Sequence, residues 1–126
     1  TGAAIAEQQK MPAKFVENLL VDLKRSGLIV SVRGQGGGFM LAKPAASISV
    51  ADVIRAVDGP LAEVRGQRPE DVVYEGPAEH LQQVWVAVRA SVRRVLEHVT
   101  LADIANGDLP ADVRALIADP DVWKRR

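Results

Sequence analysis

The stretch from Leu28 to Leu41, LIVSVRGQGGGFML, constrains the fold of this chain most strongly. Two short apolar runs, Leu28–Val32 and Phe39–Leu41, flank a turn that contains four glycines in five residues. Apolar runs joined by a glycine-rich loop are typical of a β-hairpin. Glycine has no Cβ atom, so such a tip can turn sharply and approach another surface closely. With Arg33 at its base and Gln35 beside it, the tip suits the minor groove of DNA, and the alternative is an ordinary surface hairpin.

Two helices are predicted ahead of the hairpin. The first is short, spans Gly2–Gln9 and has Thr1 as a candidate N-cap. After a turn, Pro12 begins the second helix and Gly27 ends it. The apolar residues of the second helix recur at spacings that place them on one face, namely Phe15, Val16, Leu19, Leu20 and Leu23. This order of elements is typical of the second part of a winged helix-turn-helix, whose second helix lies in the major groove.

The exposed residues in the first turns of the second helix have varied polar side chains. Asn18 can bond bidentately to adenine, Glu17 can accept from cytosine, and Lys14 can reach guanine or phosphate. The alternative is that these residues, with Ala13, form only the solvated face of an amphipathic helix. The net charge of the chain is zero, but residues 1–46 hold six Lys and Arg against three acids. Residues 47–126 hold ten against thirteen, so the distribution is consistent with a DNA-facing N-terminal module.

A third helix and a long loop follow the hairpin. Ser49–Asp52 fits the capping-box pattern, so we expect a helix over Val50–Asp58 that ends at Gly59 and Pro60. The segment Leu61–Pro77 mixes glycine, proline and charged residues. A loop of roughly fifteen residues is unusual inside a compact domain and often has a function. Three residues are predicted to anchor it: Val72, Val73 and Tyr74.

The longest periodic segment is Glu79–Thr100, which predicts a helix of about 33 Å. Its apolar stripe consists of Leu81, Val84, Trp85, Val88, Val92, Val95, Leu96 and Val99. The preceding module is too small to cover this stripe, whereas a second copy of the helix could cover it in a symmetric homodimer. The alternative is that the stripe packs within its own domain. Two short helices, Leu101–Ala105 and Pro110–Ala118, are expected to follow, and residues 123–126 read as a frayed tail.

Several kinds of chemistry are absent from the sequence. It contains no cysteine, which excludes disulfides, thiolate zinc sites and cysteine-ligated iron–sulfur clusters. His80 and His98 are 18 residues apart on one predicted helix and cannot share a metal ion. There is no catalytic constellation, so we expect no enzyme. No apolar run nears the 18 residues of a membrane span, and a soluble cytoplasmic protein is expected.

The segment IAEQQKMPAKFVENLLVDLKRSGLIVSVRGQGGGFMLAKP, followed by ISVADVIRAVDGPL, resembles the Rrf-two family of bacterial repressors. The wing motif SVRGxGGGFxLAKP is specific, and the long helix that ends in VTLADI is similar to the family's dimerisation helix. The resemblance covers about residues 4–105. It implies dimeric winged-helix regulators, here a cysteine-free relative of the iron–sulfur cluster regulators.

The resemblance also implies a set of DNA contacts. Lys14, Phe15, Glu17 and Asn18 would face the major groove. The wing would enter the minor groove, with contacts from Arg33, Gly34, Gln35, Gly36, Gly37, Gly38 and Lys43.

This sequence differs from the family pattern in two respects. Family members begin with one further helix, which this sequence does not include. Iron–sulfur members place three cysteines between the third helix and the long helix, whereas Val64–Glu79 has none. The signal is therefore a small molecule, a protein partner or nothing, and no cofactor is expected. By analogy, this loop is the best candidate for a sensory element.

Together these features predict a mainly α-helical protein with a small β-hairpin wing and a long dimerisation helix. We divide it into a winged helix-turn-helix domain (1–60), a sensor loop (61–78) and a dimerisation region (79–126). The expected function is a homodimeric, sequence-specific transcriptional repressor that binds double-stranded DNA at a two-fold-symmetric operator. One alternative is a regulator that acts mainly through a protein partner such as a metabolic enzyme. Another is a winged helix used only for protein–protein contact.

Overall fold

The computed structural model describes residues 1–126 and confirms a mainly helical fold with one hairpin. In chain order the elements are α1 (Gly2–Gln8), α2 (Ala13–Arg25), β1 (Ile29–Val32), β2 (Gly38–Leu41), α3 (Val50–Val57), α4 (Leu81–Leu96), α5 (Leu101–Asn106) and α6 (Ala111–Ile117). Single 3-10 turns lie at Ala45–Ser47, Pro69–Asp71, Gly76–Ala78 and Pro120–Trp123. The last of these turns replaces part of the frayed tail expected at the C-terminus.

A small apolar cluster joins α1, α2 and β1. Its buried members are Ala6, Val16, Leu20 and Ile29, against which Met11 and Leu23 pack. Phe15, which the spacing assigned to the same face of α2, is instead half exposed at 51%. The face of α2 that meets the rest of the chain is therefore narrower than predicted.

The C-terminus of α2 leads directly into the hairpin through a Schellman motif. Gly27 has a φ of 77°, and its N–H donates to the carbonyl of Lys24 at 3.0 Å. The N–H of Leu28 donates to the carbonyl of Leu23, also at 3.0 Å. These two bonds satisfy carbonyls that the helix itself leaves free, and they set the direction in which β1 begins.

The hairpin is a two-stranded antiparallel sheet in which Ile29 pairs with Leu41 and Val32 pairs with Gly38. At its tip the N–H of Gly37 donates to the carbonyl of Gly34 at 2.9 Å. A Cβ atom on Gly37 would lie 2.4 Å from the carbonyl oxygen of Val32, so only glycine fits this turn. The geometry of the hairpin itself therefore requires glycine at position 37, whatever the tip contacts.

Capping boxes start two of the later helices. The Ser49 hydroxyl accepts from the N–H of Asp52 at 3.1 Å, and the Asp52 carboxylate accepts from the N–H of Ser49 at 3.0 Å. Thr100 and Asp103 make the equivalent pair of bonds at the start of α5. The predicted start of α3 is confirmed, and the start of α5 follows the same rule.

An antiparallel crossing joins the chain just before α3 to the chain just after α4. The N–H of Val50 donates to the carbonyl of Val99, and the N–H of Leu101 donates to the carbonyl of Ile48, both at 2.9 Å. Ile48 and the neighbouring Ala51 are fully buried at this crossing. It fixes where α4 ends relative to α3.

The long helix is shorter than the prediction of Glu79–Thr100. It spans 16 residues, or about 24 Å. A 3-10 turn at Gly76–Ala78 precedes it, and the crossing takes up the chain after Glu97. Val99, which the periodicity assigned to the outer stripe, lies outside the helix and is buried within its own chain.

The segment between α3 and α4 is anchored by alternate residues. Val72 is buried, and the Tyr74 hydroxyl accepts from Trp85 Nε1 at 3.0 Å. Val73 was also predicted as an anchor, but it is 78% exposed because it lies on the opposite side of an extended segment.

We expect Ile48→Ala to lower the free energy of unfolding by about 2–5 kcal/mol, because the truncation leaves a cavity at the crossing. Chemical denaturation measures this change. The control is Val73→Ala, an exposed valine whose truncation should change stability by less than about 0.5 kcal/mol. Equal stability of the two variants would show that the crossing is not tightly packed.

We expect Gly37→Ala to lower the free energy of unfolding by about 1–3 kcal/mol, because the added methyl forces the turn to open. Gln35→Ala alters an exposed side chain at the same tip and serves as the matched control. Urea titrations of both proteins provide the comparison. A stable Gly37→Ala protein with unchanged amide exchange in the turn would contradict the hairpin geometry.

Candidate nucleic-acid interface

The first turns of α2 present an exposed, largely polar face. Lys14, Glu17 and Asn18 are all exposed, and Phe15 projects among them. Lys14 Nζ lies 4.0 Å from Glu17 Oε2, an exposed pair of the kind that contributes little stability. These side chains can therefore exchange their mutual contact for contacts to another molecule at small cost.

The tip of the hairpin is a slender projection with one cation. Arg33, Gly34, Gln35 and Gly36 are exposed, whereas Gly37 and Gly38 are partly covered. Arg33 makes no ion pair, so its guanidinium is free to contact an anion. Lys43, just after β2, is also exposed.

The hairpin and α2 lie side by side. Glu17, Val21 and Lys24 of α2 line a groove together with Ser31 and Phe39 of the hairpin. The exposed face of α2 and the wing therefore border one continuous surface, although they are separate in sequence.

The outer face of the hairpin is apolar. Val30 and Met40 are a cross-strand pair, and Val32 lies two residues along on the same face. All three are exposed, so this sheet face has no partner within the chain. Local sequence patterns did not reveal this surface, because apolar residues occur on both faces of the two strands and only the register separates the faces.

One side of α4 packs on its own chain. Trp85 bonds to Tyr74, and Gln82 Nε2 donates to the carbonyl of Glu70 at 2.8 Å. On the other side Val84 and Val88 are 51% and 42% exposed. The remaining stripe residues within the helix are partly covered: Leu81, Trp85, Val92, Val95 and Leu96. The predicted stripe is thus divided between an inner and an outer face.

The chain exposes more surface than a compact monomer of its size. Its accessible surface is 9360 Å². A compact protein of 13.6 kDa exposes about 6,600 Å², so the surplus is about 2,800 Å². A standard interface covers about 800 Å² per partner, so the surplus is large enough to accommodate one.

Four arginines that sequence reasoning did not single out meet in the structure. They line one cleft and are Arg55, Arg68, Arg89 and Arg93. The only local signal was the spacing of Arg89 and Arg93, which places both on one face of α4. The other two come from α3 and from the loop, so their proximity depends on tertiary structure.

No group of three or more His, Asp or Glu side chains is placed to hold a metal ion, and the chain has no cysteine. His80 and His98 each lie near a single carboxylate, at 3.3 Å from Glu79 and 3.5 Å from Asp112. None of the helices is both long and apolar enough to cross a lipid bilayer.

Comparison with known proteins finds helix-turn-helix regulators over most of the chain. A candidate HTH-type transcriptional regulator of Mycobacterium tuberculosis H37Rv, Rv1287, is 47% identical over 91% of this chain and 71% of its own length. The HTH-type transcriptional regulator CymR of Bacillus subtilis is 31% identical over 82% of this chain and 70% of its own length.

Solved structures show the same architecture. CymR, described as the global cysteine regulator of B. subtilis, covers 84% of this chain with 77% of its own, at 31% identity and a TM-score of 0.69. IscR of T. potens covers 98% of this chain with 78% of its own, at 29% identity and a TM-score of 0.66.

The Rrf2 family model, described as an iron-dependent transcriptional regulator, matches residues 1–107. The donor set of this chain does not fit a cysteine-held iron–sulfur cluster, because no thiolate is available. The match nevertheless spans the winged helix and the long helix α4. The chain therefore belongs to the Rrf2 family, as a transcriptional regulator with a DNA-binding fold and not as an enzyme.

Proposed function

We propose that this protein is a sequence-specific transcriptional repressor that binds double-stranded DNA as a homodimer at a two-fold-symmetric operator. The observation that carries the proposal is the surface shared by α2 and the hairpin. A helix with exposed polar first turns beside a glycine-tipped, arginine-bearing wing suits adjacent major and minor grooves. A dimer bound at the operator would repress transcription by occupying DNA that the transcription machinery needs.

The helix α2 would read bases in the major groove. Asn18 can bond to both N6 and N7 of adenine, and Glu17 can accept from N4 of cytosine. Lys14 can bond to guanine or neutralise a phosphate, and Phe15 can contact a thymine methyl group. The exposure of all four side chains supports this assignment.

The wing would add contacts in the minor groove. A narrow minor groove concentrates negative potential and attracts arginine, and Arg33 has no competing carboxylate. The small residues at Gly34 and Gly36 let the tip approach without side chains in the way. Lys43 is placed after β2, where it can contact a phosphate.

Dimerisation would use the outer face of α4. Val84 and Val88 are apolar and exposed on one side of this helix. The accessible surface of the chain also exceeds that of a compact monomer by enough to accommodate an interface. An isologous contact between two copies of α4 would relate two α2 helices by a two-fold axis. In this scheme residues 1–60 bind DNA, residues 79–126 form the dimer, and residues 61–78 lie between them as the sensory segment.

The outer face of the hairpin favours a second candidate function. Val30, Val32 and Met40 form an exposed apolar patch that a protein partner, such as a metabolic enzyme, could cover. Regulation would then act mainly through that partner. DNA binding with a steep salt dependence separates the two candidates, because only the first requires many phosphate contacts.

We expect Arg33→Ala to weaken binding to DNA by about 1–3 kcal/mol and to reduce the salt slope by about one. The probe is a duplex selected from a random pool by the unmodified protein, and the measurement is a titration at several salt concentrations. The control Arg114→Ala removes the same charge from the exposed end of α6. Unchanged affinity of the Arg33→Ala protein would contradict a DNA contact by the wing. A flat salt response of the unmodified protein would contradict DNA binding itself.

We expect Val88→Glu to convert the dimer to a monomer, because two copies of α4 would then bury like charges against each other. The matched control is Ala90→Glu, which places the same charge at an exposed position about 200° around the helix from Val88, away from the proposed interface. Sedimentation velocity measures the mass of each protein. A dimeric Val88→Glu protein would refute the α4 interface.

A further inference from the structure

A cleft of about 290 Å³ lies between α3, the loop and α4. Arg55 of α3, Arg68 of the loop, and Arg89 and Arg93 of α4 line it. Its remaining lining consists of Gly59, Pro60 and the buried Leu61 and Pro69. Three separate elements thus direct their cationic side chains into one small concavity.

The carboxylates at this cleft compensate only part of its positive charge. Glu97 serves both Arg55, with which it pairs closely, and Arg93, whose Nε lies 3.9 Å away. Glu70 pairs with Arg89, and Arg68 makes no ion pair. Four guanidiniums therefore face two carboxylates, which leaves an excess of two positive charges in a chain whose net charge is zero.

The electrostatic effect of this cluster reaches Glu70. A hydrogen bond from its own backbone N–H lowers the pKa of Glu70 most, and desolvation opposes this. The hydrogen bond and charge of Arg89, and the charge of Arg68, lower the pKa further. Arg68 is therefore close enough to act on the same carboxylate as Arg89.

We infer that this cleft binds a small anion with two or more negative charges, such as a phosphorylated or dicarboxylate metabolite. Guanidinium groups bind such anions through paired N–H donors, and Arg89 is only 15% exposed, which strengthens its interaction. The volume lies at the lower limit for small-molecule sites, so it suits a small anion with a short carbon skeleton.

The shape of the cleft favours a small anion over the backbone of a duplex. The arginines line a concavity that contains no residue of α2 or of the hairpin. A DNA backbone would instead follow the outer surface that these two elements share. Contact between the cleft and DNA is therefore an outcome that the experiment must be able to detect.

The position of the cleft suggests what the anion would do. It joins α4 to α3, and α3 packs against α2. An anion between Arg55 and Arg93 would compete with Glu97 and change how α3 and α4 are held together. This part of the inference rests on the proposed function, in which α2 binds DNA and α4 forms the dimer.

Isothermal titration calorimetry of the full chain with inorganic phosphate and with succinate, at constant ionic strength and without DNA, tests the site. The two probes separate phosphate from carboxylate chemistry. We expect saturable binding of at least one probe that weakens about ten-fold in Arg68→Ala and in Arg93→Ala. Neither arginine makes a close ion pair, so both variants should fold, which circular dichroism checks.

Each variant has a matched control with the same loss of charge. Arg65→Ala alters the same loop as Arg68, and Arg94→Ala alters the residue next to Arg93, but neither arginine lines the cleft. These controls should bind the probes like the unmodified protein. Absence of saturable binding, or equal weakening in all four variants, would overturn the inference.

A parallel titration with the selected duplex detects the alternative. If Arg68→Ala weakened DNA binding while neither anion bound, the cleft would be a DNA contact and the inference would be wrong. Because calorimetry is done without DNA, its result is independent of the proposed repressor function. Failure of DNA binding with intact anion binding would overturn only the proposed function.

Discussion

The crossing between residues 48–50 and residues 99–101 determines how the two halves of this molecule are related. Two backbone hydrogen bonds, Val50 to Val99 and Leu101 to Ile48, connect segments that are about fifty residues apart. Each segment then starts a helix with its own capping box, so the N-termini of α3 and α5 lie together at the crossing. The position of α4, and with it the candidate dimer face, follows from this crossing rather than from the helix's own periodicity.

The low burial of the chain is the second constraint. Eleven of its 126 residues are buried, and the cluster under α1, α2 and β1 has four members. Hydrophobic burial is the main favourable term in folding, so such a chain is weakly stabilised on its own. A partner that covers the outer face of α4 would add apolar burial, and the stability of the fold would then depend on protein concentration.

Local features of the fold could be predicted from the sequence because they depend on neighbouring residues. The hairpin, the glycine after α2, and the box at Ser49 and Asp52 all follow from short patterns. Features that depend on distant contacts could not be predicted in this way. The end of α4 and the burial of Val99 require the crossing, which no local pattern encodes. Alternation along an extended segment does distinguish Val72 and Tyr74 from Val73, because alternate residues point to opposite sides.

The two candidate sites differ in the same way, because one follows from local patterns and the other depends on distant contacts. The DNA contacts of α2 and the wing are predicted from local periodicity, turn chemistry and the resemblance to the Rrf-two family, and their groove-facing roles stay predictions. The arginine cleft is assembled from residues 55, 68, 89 and 93, whose only sequence relation is one helical turn between the last two. Composition also gives no indication of the cleft's positive charge, because residues 47–126 contain more acidic than basic side chains.

The hydrogen bond from Trp85 to Tyr74 makes Trp85 an intrinsic fluorescent probe of the loop. The chain has two tryptophans, and the second, Trp123, is 72% exposed near the C-terminus. Trp85 lies on the face of α4 that also holds Arg89, and its indole is bonded to the loop that contributes Arg68. With Trp123 replaced by phenylalanine, the tryptophan emission would come from Trp85 alone and would report changes in the loop without any attached dye.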